Sequence, residues 1–163
     1  PRSTLFPYTT LFRSQTEMID DVIIANMFAS ESELKALGQM DKNILELEVV
    51  FEKGVPELEK HIVLNEPHFN RGDVSDYLIR STQSRVKFKG HPFICFNPLP
   101  IEAGDVLIES ELYKRYAGEL QLALKAMENS GKTNVVARVV EEERFLIHGI
   151  KPWQTFKFVE SKG

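Results

Sequence analysis

The sequence predicts a single α+β domain built around an antiparallel sheet, and three observations indicate it. Residues 43–52 alternate so that one face is wholly apolar, which is typical of a half-buried β-strand. Residues 104–140 contain a second alternating segment, 120–127, and two glycine-containing breaks divide this run into three predicted strands of an antiparallel meander. The chain has 163 residues, enough for one domain with its own core, and no repeat or linker divides it.

A helix over residues 109–128 is the alternative for the middle of this run. The segment is rich in good helix formers, and four of its apolar side chains fall four residues apart, as on one stripe of a helix: Leu112, Tyr116, Leu120 and Leu124. Gly118 counts against the helix, because an interior glycine costs about 1 kcal/mol relative to alanine. The Val-Leu-Ile opening at residues 106–108 also favours a strand. We favour the strands and keep the helix as an open alternative.

Shorter segments complete the predicted domain. We expect a helix over residues 18–28, because apolar residues recur there at helical spacing, and a further helical turn that starts at Ser30 or Ser32. The remaining predicted elements are short strands at 61–64, 84–89 and 92–97, a helical turn at 76–81, and a closing hairpin of residues 144–150 and 155–159.

The composition excludes several classes of protein. The content of 42% hydrophobic and 27% charged residues is that of a soluble globular domain, and the net charge of −4 gives no basic surface of the kind that binds nucleic acid. The single Cys95 excludes an internal disulfide framework and cannot by itself make a zinc site. No run approaches the roughly 18 uninterrupted apolar residues of a membrane-spanning helix. We therefore predict a cytoplasmic protein in a reducing compartment, without a membrane partner.

Residues 4–14 read Thr-Leu-Phe-Pro-Tyr-Thr-Thr-Leu-Phe-Arg-Ser, which resembles the translation of a common high-throughput sequencing adapter. The resemblance implies that residues 1–14 are not evolved protein and that the gene was assembled from environmental, metagenomic reads. We therefore exclude this segment from fold reasoning. Residues 15–163 are expected to form the single domain, truncated if the assembly has lost the natural N-terminal segment.

A pattern of turn residues and charges runs through the middle of the chain, at Pro100, Gly104, Asp105, Leu112, Lys114, Arg115, Gly118, Lys125, Ala126, Gly131, Lys132 and Ala137. This pattern resembles the closing strands of hot-dog-fold proteins, in particular the FabZ-type hydroxyacyl-acyl-carrier-protein dehydratases and the related MaoC-like hydratases and thioesterases. The resemblance covers about a quarter of the chain. It implies a hot-dog-like fold, in which an antiparallel sheet packs on one main helix, and a homodimer.

A second alignment to the same family starts from residues 88–91, Phe-Lys-Gly-His, which resemble the segment that carries the catalytic histidine of the dehydratases. It implies that His91 is catalytic and that Glu109, at the start of the alternative helix, is its acidic partner. Dehydration of a 3-hydroxyacyl thioester needs a base for the α-proton and an acid for the leaving hydroxyl, and a histidine that faces a carboxylate suits both roles. Residues 92–94 depart from the Phe-Pro-Gly that the family has after the histidine, and the two alignments cannot both hold.

His68 is the other candidate for catalysis, because Asp73 and Asp76 follow it closely. A histidine with two carboxylates can serve acid–base chemistry or bind a divalent ion, but this spacing matches no tight metal motif. Asp73 is equally well explained as a turn residue.

The resemblance implies an acyl-thioester dehydratase, hydratase or thioesterase of fatty acid biosynthesis. It would act on a thioester of an acyl-carrier protein or of coenzyme A, and it would need no bound cofactor. The alternative is a non-catalytic protein, either a phage-type structural or assembly protein or a protein-interaction domain. The weakness of every catalytic constellation in the sequence favours this alternative.

Overall fold

The computed structural model describes residues 44–161 and, before them, Ser30, Glu31 and Leu34. The chain divides into two compact units, Pro1–Leu45 and Glu46–Gly163, and nearly all described residues belong to the second. In the first unit, the Leu34 amide donates to the Ser30 carbonyl at 3.1 Å, which is one turn of helix.

Two predictions fall on other parts of the first unit. The helix predicted over residues 18–28 and the adapter-like segment 1–14 lie outside the described residues. Both stay predictions, and the fold described below is that of the second unit.

Residues 44–161 form seven strands, two α-helices and two 3-10 helices. The strands are β1 (Leu45–Phe51), β2 (His68–Phe69), β3 (Leu78–Ser81), β4 (Asp105–Glu109), β5 (Leu120–Ala123), β6 (Thr133–Val139) and β7 (Thr155–Glu160). The α-helices are α1 (Glu57–Asn65) and α2 (Gln83–Lys87), and the 3-10 helices cover Glu111–Tyr113 and Glu141–Gly149.

The strands make one mixed sheet in the order β2-β7-β1-β6-β4-β5-β3. Five neighbouring pairs are antiparallel. β1 and β7 run parallel. Lys157 pairs with Glu46 near the start of both strands, and further along both strands the Ser161 amide donates to the Val49 carbonyl. The two edge strands also meet, since the amide of Arg71, just after β2, donates to the carbonyl of Arg80 in β3 at 3.0 Å. The sheet therefore closes into a near-barrel.

Strands β4 and β5 are buried along their whole length, which means that both of their faces are covered. On one face Leu107, Ala123 and Val135 pack with Ile101, which belongs to the extended segment before β4. This segment is tied to β6, since the Val135 amide donates to the Asn97 carbonyl at 3.0 Å. Burial of this apolar surface contributes about 25 cal/mol per Å² to the stability of the fold.

Helix α1 covers another part of the barrel by packing against β7. It begins directly after Pro56, whose fixed φ suits the start of a helix, and it buries Ile62 and Val63 completely. In β7 the buried Phe156 and Phe158 alternate with exposed residues, so one face of this strand contributes to the core.

The predicted fold class, an antiparallel sheet with one main helix of the hot-dog kind, is wrong. The sheet is mixed and nearly closed, and α1 and α2 are only nine and five residues long. The helix alternative over residues 109–128 is wrong as well, because Gly118 has a φ of +81° and β5 starts two residues later. A residue in this left-handed conformation cannot continue a right-handed helix.

The three strands predicted within residues 104–140 are confirmed as β4, β5 and β6, but their predicted order is not. A meander would place β5 in the middle, whereas β4 lies between β6 and β5, and β5 pairs on its other side with β3. The predicted half-buried alternation of residues 120–127 is also wrong, because all four residues of β5 are buried.

The strand predicted over residues 43–52 is confirmed as β1, and the last strand of the closing hairpin is confirmed as β7. The other short elements are assigned wrongly. The strand predicted at 61–64 lies in α1, and that at 84–89 lies mostly in α2. The strand predicted at 92–97 has no regular secondary structure, and that at 144–150 is 3-10 helix as far as residue 149. The helical turn predicted at 76–81 is instead occupied mostly by strand β3. Segments of four to seven residues are too short for apolar periodicity to separate a helix from a strand.

Candidate functional site

A basic pocket lies where α2 meets the turn between β4 and β5. Its cavity has a volume of about 370 Å³ and is lined by Arg85, Val86, Lys89, Gly90, His91, Lys114, Arg115 and Ala117. Four of these residues are lysine or arginine, one is histidine, and none of the lining residues is acidic. The pocket is therefore an electropositive site on a protein whose net charge is negative.

The first wall of the basic pocket comes from α2 and the chain that follows it. Arg85 and Lys87 lie in the last turn of α2, where positive charge is favoured by the helix dipole. Gly90 then turns the chain with a φ of +93°, and the His91 amide donates to the Phe88 carbonyl at 3.1 Å. This turn directs Lys89 and His91 to the same cavity as Arg85.

The second wall is the turn of residues 110–118. The Ser110 hydroxyl accepts from the Leu112 amide at 3.3 Å and so caps the 3-10 helix that starts the turn. Gly118 ends it, and a side chain there would be strained by the positive φ and would place its Cβ 2.4 Å from the ring of Phe93. The Ser84 hydroxyl of α2 donates to the Gly118 carbonyl at 2.6 Å, which joins the two walls.

A buried carboxylate behind the basic pocket holds its arginines. Glu119 is fully buried, and its carboxylate accepts from Arg80 Nε at 2.9 Å. Arg85 Nη1 lies 2.9 Å from the other carboxylate oxygen in an ion pair without hydrogen-bond alignment. The Tyr116 ring lies beneath three guanidinium groups, those of Arg80, Arg85 and Arg115, at 5.2 to 5.7 Å. One carboxylate and one aromatic face thus order the arginines without neutralising them all.

The outer cations of the basic pocket have no acidic counterpart. Lys89, Lys114 and Arg115 are exposed, and none of them forms an ion pair with a carboxylate among residues 44–161. Cations that converge on one cavity repel each other, and an anion that enters the cavity relieves this repulsion. Arginine and lysine are also the side chains that bind phosphate and carboxylate groups best. The arrangement is therefore that of an anion-binding site.

His91, a predicted catalytic residue, lines the basic pocket, and its ring contacts that of Phe93 at 5.0 Å between centroids. Glu109, its predicted acidic partner, is buried at the end of β4 and does not line the basic pocket. One carboxylate oxygen of Glu109 accepts from Gln121 at 3.2 Å and the other from Thr133 at 2.9 Å. Burial raises the pKa of Glu109 above its usual value, against a lowering by these hydrogen bonds. Both oxygens are thus bound to residues other than His91, and the catalytic role of the pair stays a prediction.

His68, the other predicted catalytic residue, is 1% exposed and lies in the core, where its ring contacts Phe156 and Phe158. Its Nε2 lies 3.1 Å from the Val63 carbonyl, which can only accept, so Nε2 carries the proton. Nδ1 then accepts from the Ser81 hydroxyl at 3.3 Å. Burial lowers the pKa of His68, which keeps the imidazole neutral.

The predicted cluster of His68, Asp73 and Asp76 does not form. Asp73 is bound instead to Arg71 at 2.6 Å, with Arg80 at 3.4 Å, while His68 is enclosed in the core. Within the described part of the chain, no group of three or more histidine, cysteine, aspartate or glutamate side chains could hold a metal ion. The same residues also contain no helix that is long and apolar enough to span a bilayer.

The sequence analysis does not predict the basic pocket as a site. Lys114 and Arg115 appear in it only as part of the pattern that resembles hot-dog-fold proteins. A local signal exists: residues 77–101 contain four lysine or arginine residues and no acidic one, within a chain that is acidic overall. That signal marks one wall only. The second wall is brought to it by the contacts of Gly118 with Ser84 and Phe93, which no local pattern reveals.

Comparisons with known proteins point to one family. Residues 45–159 match the family model described as 6-phospho-N-acetylmuramidase, C-terminal. A crystal structure described as an uncharacterized B. cereus protein is 38% identical, with a TM-score of 0.86 over 98% of this chain and 46% of that chain. A crystal structure of a conserved Enterococcus faecalis protein with an unknown function is 23% identical, with a TM-score of 0.69 over 93% of this chain and 41% of that chain. The chain thus spans less than half the length of either structure. Comparison with curated proteins gave no match.

These findings overturn the hot-dog interpretation. The match to a muramidase family and the near-barrel replace the resemblance to dehydratases, hydratases and thioesterases, so the predicted acyl-thioester chemistry and its place in fatty acid biosynthesis are wrong. The predicted partners, acyl-carrier protein and coenzyme A thioesters, are wrong for the same reason. The expected homodimer rests on the same resemblance and falls with it. The resemblance misled because its matching residues are mostly turn residues, which many sheets share.

Proposed function

We propose, from the premise that this chain belongs to the 6-phospho-N-acetylmuramidase C-terminal family, that its basic pocket binds the phosphate group of a 6-phosphorylated amino sugar. The observation that carries the proposal is the convergence of Arg85, Lys89, Lys114 and Arg115 on one cavity that has no acidic lining residue. The activity of the whole protein would be glycosidase-like, the release of such a sugar from a glycoside.

The chemistry of a phosphate monoester suits the basic pocket. Such a group carries a charge of about −1.5 to −2 at pH 7 and three strongly accepting oxygens. Arg85 and Arg115 offer planar forks that can donate two parallel hydrogen bonds, and Lys89 and Lys114 add compact charges. The volume of about 370 Å³ lies near the lower end of the roughly 300–1,000 Å³ of small-molecule sites. A sugar phosphate is a ligand of that size.

Glu119 and Tyr116 would act as positioning residues. Glu119 is fully buried and so cannot touch the ligand, but its ion pair with Arg85 fixes the direction of that guanidinium. The Tyr116 ring contacts the guanidinium groups of Arg85 and Arg115 and so limits their rotation. An arginine that is ordered before binding loses less side-chain entropy when the phosphate arrives.

Cleavage of the glycosidic bond needs other groups than those of the basic pocket. Most glycosidases use two carboxyl groups that flank the bond, and the lining of this cavity supplies none. We therefore assign to the basic pocket the recognition of the phosphate and not the bond-breaking step. A cytoplasmic location, which the sequence predicts, is compatible with the free thiol of Cys95.

The test is calorimetric titration of the chain with N-acetylmuramic acid 6-phosphate and, in parallel, with N-acetylmuramic acid. We expect the phosphorylated sugar to bind and its affinity to fall as salt rises, because salt screens charge interactions. Lys114→Gln and Arg115→Gln should each weaken binding about tenfold, which corresponds to the loss of one charge-assisted hydrogen bond.

The matched control is Lys60→Gln. Lys60 lies on α1, is paired with Glu57 at 3.0 Å and does not line the cavity, so its loss should leave the affinity unchanged. Equal binding of the two sugars, or an equal loss in the Lys60 and Lys114 variants, would refute the assignment of the phosphate to the basic pocket.

A further inference from the structure

A second cavity lies at the end of the ladder that joins β3 to β5. It has a volume of about 290 Å³. Its lining comes from the segment that leads into β3, the residues that follow β5, and the end of the 3-10 helix Glu141–Gly149 with the residues after it. No residue of the basic pocket lines this second cavity, so the two cavities are separate sites.

Aliphatic side chains form one wall of the second cavity, those of Leu78, Ile79, Leu124, Ile147 and Ile150. Three of them, Ile79, Ile147 and Ile150, are almost fully buried, so this wall is continuous with the core. The wall is also tied to the chain after β2, since Asn70 Nδ2 donates to the Ile150 carbonyl at 3.2 Å. The cavity therefore offers a fixed apolar surface, on which an aliphatic group can be removed from water.

Two residues of opposite charge also line the second cavity, and the sheet places them across from each other. Leu78 pairs with Ala123, and the Leu124 amide donates to the Tyr77 carbonyl at 2.8 Å one residue further along. The next residues in this register are Asp76 and Lys125, and both line the cavity. Residues in such opposed positions extend their side chains to the same side of the ladder.

Asp76 and Lys125 do not neutralise each other. Within residues 44–161, neither of them forms a salt bridge, and neither does His148, which lines the same cavity. Lys125 Nζ lies instead over the Tyr77 ring, 5.2 Å from its centroid. The cavity thus presents a carboxylate and an ammonium group side by side, and a ligand with a single charge would satisfy only one of them.

We infer that the second cavity binds a free α-amino acid with an aliphatic side chain, such as leucine. The α-ammonium group donates to the carboxylate of Asp76, and the α-carboxylate accepts from the ammonium group of Lys125. The aliphatic side chain packs against the apolar wall. The volume of about 290 Å³ lies just below the roughly 300–1,000 Å³ of drug-sized sites, which fits a ligand as small as leucine.

The charge of the lining separates this inference from the proposed function. The second cavity has one acidic and one basic residue beside His148, whereas the basic pocket has four basic residues and no acidic one. A zwitterion therefore suits the second cavity, and an anion suits the basic pocket. The inference goes beyond the proposed function, because it requires neither a phosphate group nor the residues of the basic pocket.

The first test is an NMR titration of the full, ¹⁵N-labelled chain with L-leucine and with three analogues. Leucinamide lacks the carboxylate, 4-methylpentanoate lacks the ammonium group, and glycine lacks the side chain. We expect a saturable shift of backbone signals with leucine and at least tenfold weaker binding of each analogue, because each one loses one of the three contacts. The absence of a saturable shift with leucine would overturn the inference. Binding of leucinamide as tight as that of leucine would also overturn it and would indicate a site for the N-terminal residue of a peptide.

The second test removes the two charges one at a time. Asp76→Asn and Lys125→Gln should each weaken leucine binding at least tenfold, because each removes one charge-assisted hydrogen bond. Asp76 is exposed and unpaired within the described residues, so its variant is expected to fold, with its melting temperature as the check. The matched control is Glu128→Gln, which removes an exposed carboxylate that does not line the cavity and should leave leucine binding unchanged. Undiminished binding by Asp76→Asn, or an equal loss in Glu128→Gln, would overturn the inference.

A third comparison keeps this site distinct from the proposed function. Lys114→Gln changes the basic pocket and should not alter leucine binding, and Asp76→Asn should not alter the affinity for N-acetylmuramic acid 6-phosphate. If Lys114→Gln weakens leucine binding as much as Lys125→Gln does, the amino acid binds in the basic pocket and the second cavity is not its site.

Discussion

Charged side chains in the basic pocket and charged side chains in the interior of the barrel differ in whether they have partners of opposite charge or hydrogen-bond partners. Lys89 and Lys114 are exposed and have no carboxylate partner among the described residues. The buried Glu109 has a hydrogen-bond donor for each oxygen, and the buried Asp105 accepts from the Glu102 amide and lies 2.9 Å from Arg138 Nε. These charged groups in the interior thus have hydrogen-bond or ion-pair partners within the protein, whereas Lys89 and Lys114 of the basic pocket have no acidic partner there.

The difference teaches where ligand binding should be sought. A buried polar group without a partner costs free energy on folding, so interior groups acquire partners for reasons of stability alone. Exposed cations are solvated and need no partner for the fold, and their convergence on one cavity is not explained by stability. Stability alone therefore explains why the buried carboxyl groups have partners, and the basic pocket is the better candidate for a ligand-binding site.

Glu59 departs from this pattern in the interior, and its removal should have the largest effect. It lies on α1, is 2% exposed, and one of its carboxylate oxygens has no hydrogen-bond partner within the described residues. Burial raises the pKa of Glu59 from 4.5 to about 8, although Asn134 lowers it. Since the folded chain then binds a proton that the unfolded chain has lost, this stabilisation is complete below pH 4.5 and is lost as the pH rises to about 8.

The loss should be on the order of 4 kcal/mol across that window, as measured by urea unfolding at a series of pH values. Glu59→Gln keeps the shape without the titration, so it should be more stable than the natural chain at pH 8 and have a flatter pH profile. Glu57→Gln on the same helix is the control, because Glu57 is exposed and should change neither curve. Parallel pH profiles for the natural chain and Glu59→Gln would show that Glu59 finds a partner for its charge.

Glu119 links the two regions, because it is buried and yet holds arginines that belong to the basic pocket or lie behind it. Glu119→Gln leaves Arg80 and Arg85 without their shared carboxylate, and removing one partner of a buried ion pair is costly. The two arginine side chains keep about a quarter of their surface exposed, so we expect a loss of about 2–3 kcal/mol in the free energy of unfolding. Denaturant unfolding at pH 7 measures it.

The control for this variant is Glu111→Gln, in the same turn between β4 and β5. Glu111 is exposed, and its loss should change the stability by less than about 0.5 kcal/mol. Addition of phosphate should restore part of the stability of Glu119→Gln, because an anion supplies the missing charge. A Glu119 variant as stable as the Glu111 variant would mean that the arginines do not depend on Glu119 and that the basic pocket is ordered by Tyr116 alone.

The sequence predicts local elements of the fold, such as single strands, but it does not predict the closure of the sheet. The alternation in β1 and the β-branched opening of β4 are properties of consecutive residues, and both strands were predicted. The position of β4 between β6 and β5 depends on pairings between residues 12 to 33 positions apart, such as Val106 with Leu122 and with Ala137. Apolar periodicity contains no information about which strands pair, so a meander and a near-barrel could not be distinguished.

The candidate site, like the fold, could be predicted from the sequence only in part. His91 was predicted from its neighbours and does line the basic pocket, although the thioester chemistry attached to it is wrong. Lys114 and Arg115 reach the same cavity only because Gly118 turns the chain against Phe93 and Ser84. The sequence shows the charges, and only the tertiary fold brings both basic segments together.

His91 should have the smallest effect, and it tests where the basic pocket ends. It is exposed and lines the cavity, so it can donate one hydrogen bond to an anion already held by lysine and arginine. His91→Gln should weaken the binding of N-acetylmuramic acid 6-phosphate by about two- to threefold, the scale of an exposed polar contact, without a change in melting temperature.

His148→Gln is the matched control, because His148 is also exposed but does not line the basic pocket, and it should not alter this affinity. A tenfold loss of affinity in His91→Gln would show that the histidine is one of the main groups that bind the phosphate. It would weaken the assignment of the basic pocket, which rests on the lysine and arginine side chains. An affinity equal to that of the His148 variant would confine the phosphate to the arginine and lysine side chains. In either case His91 shows whether the cavity binds the anion as one charged surface or through a few aligned donors.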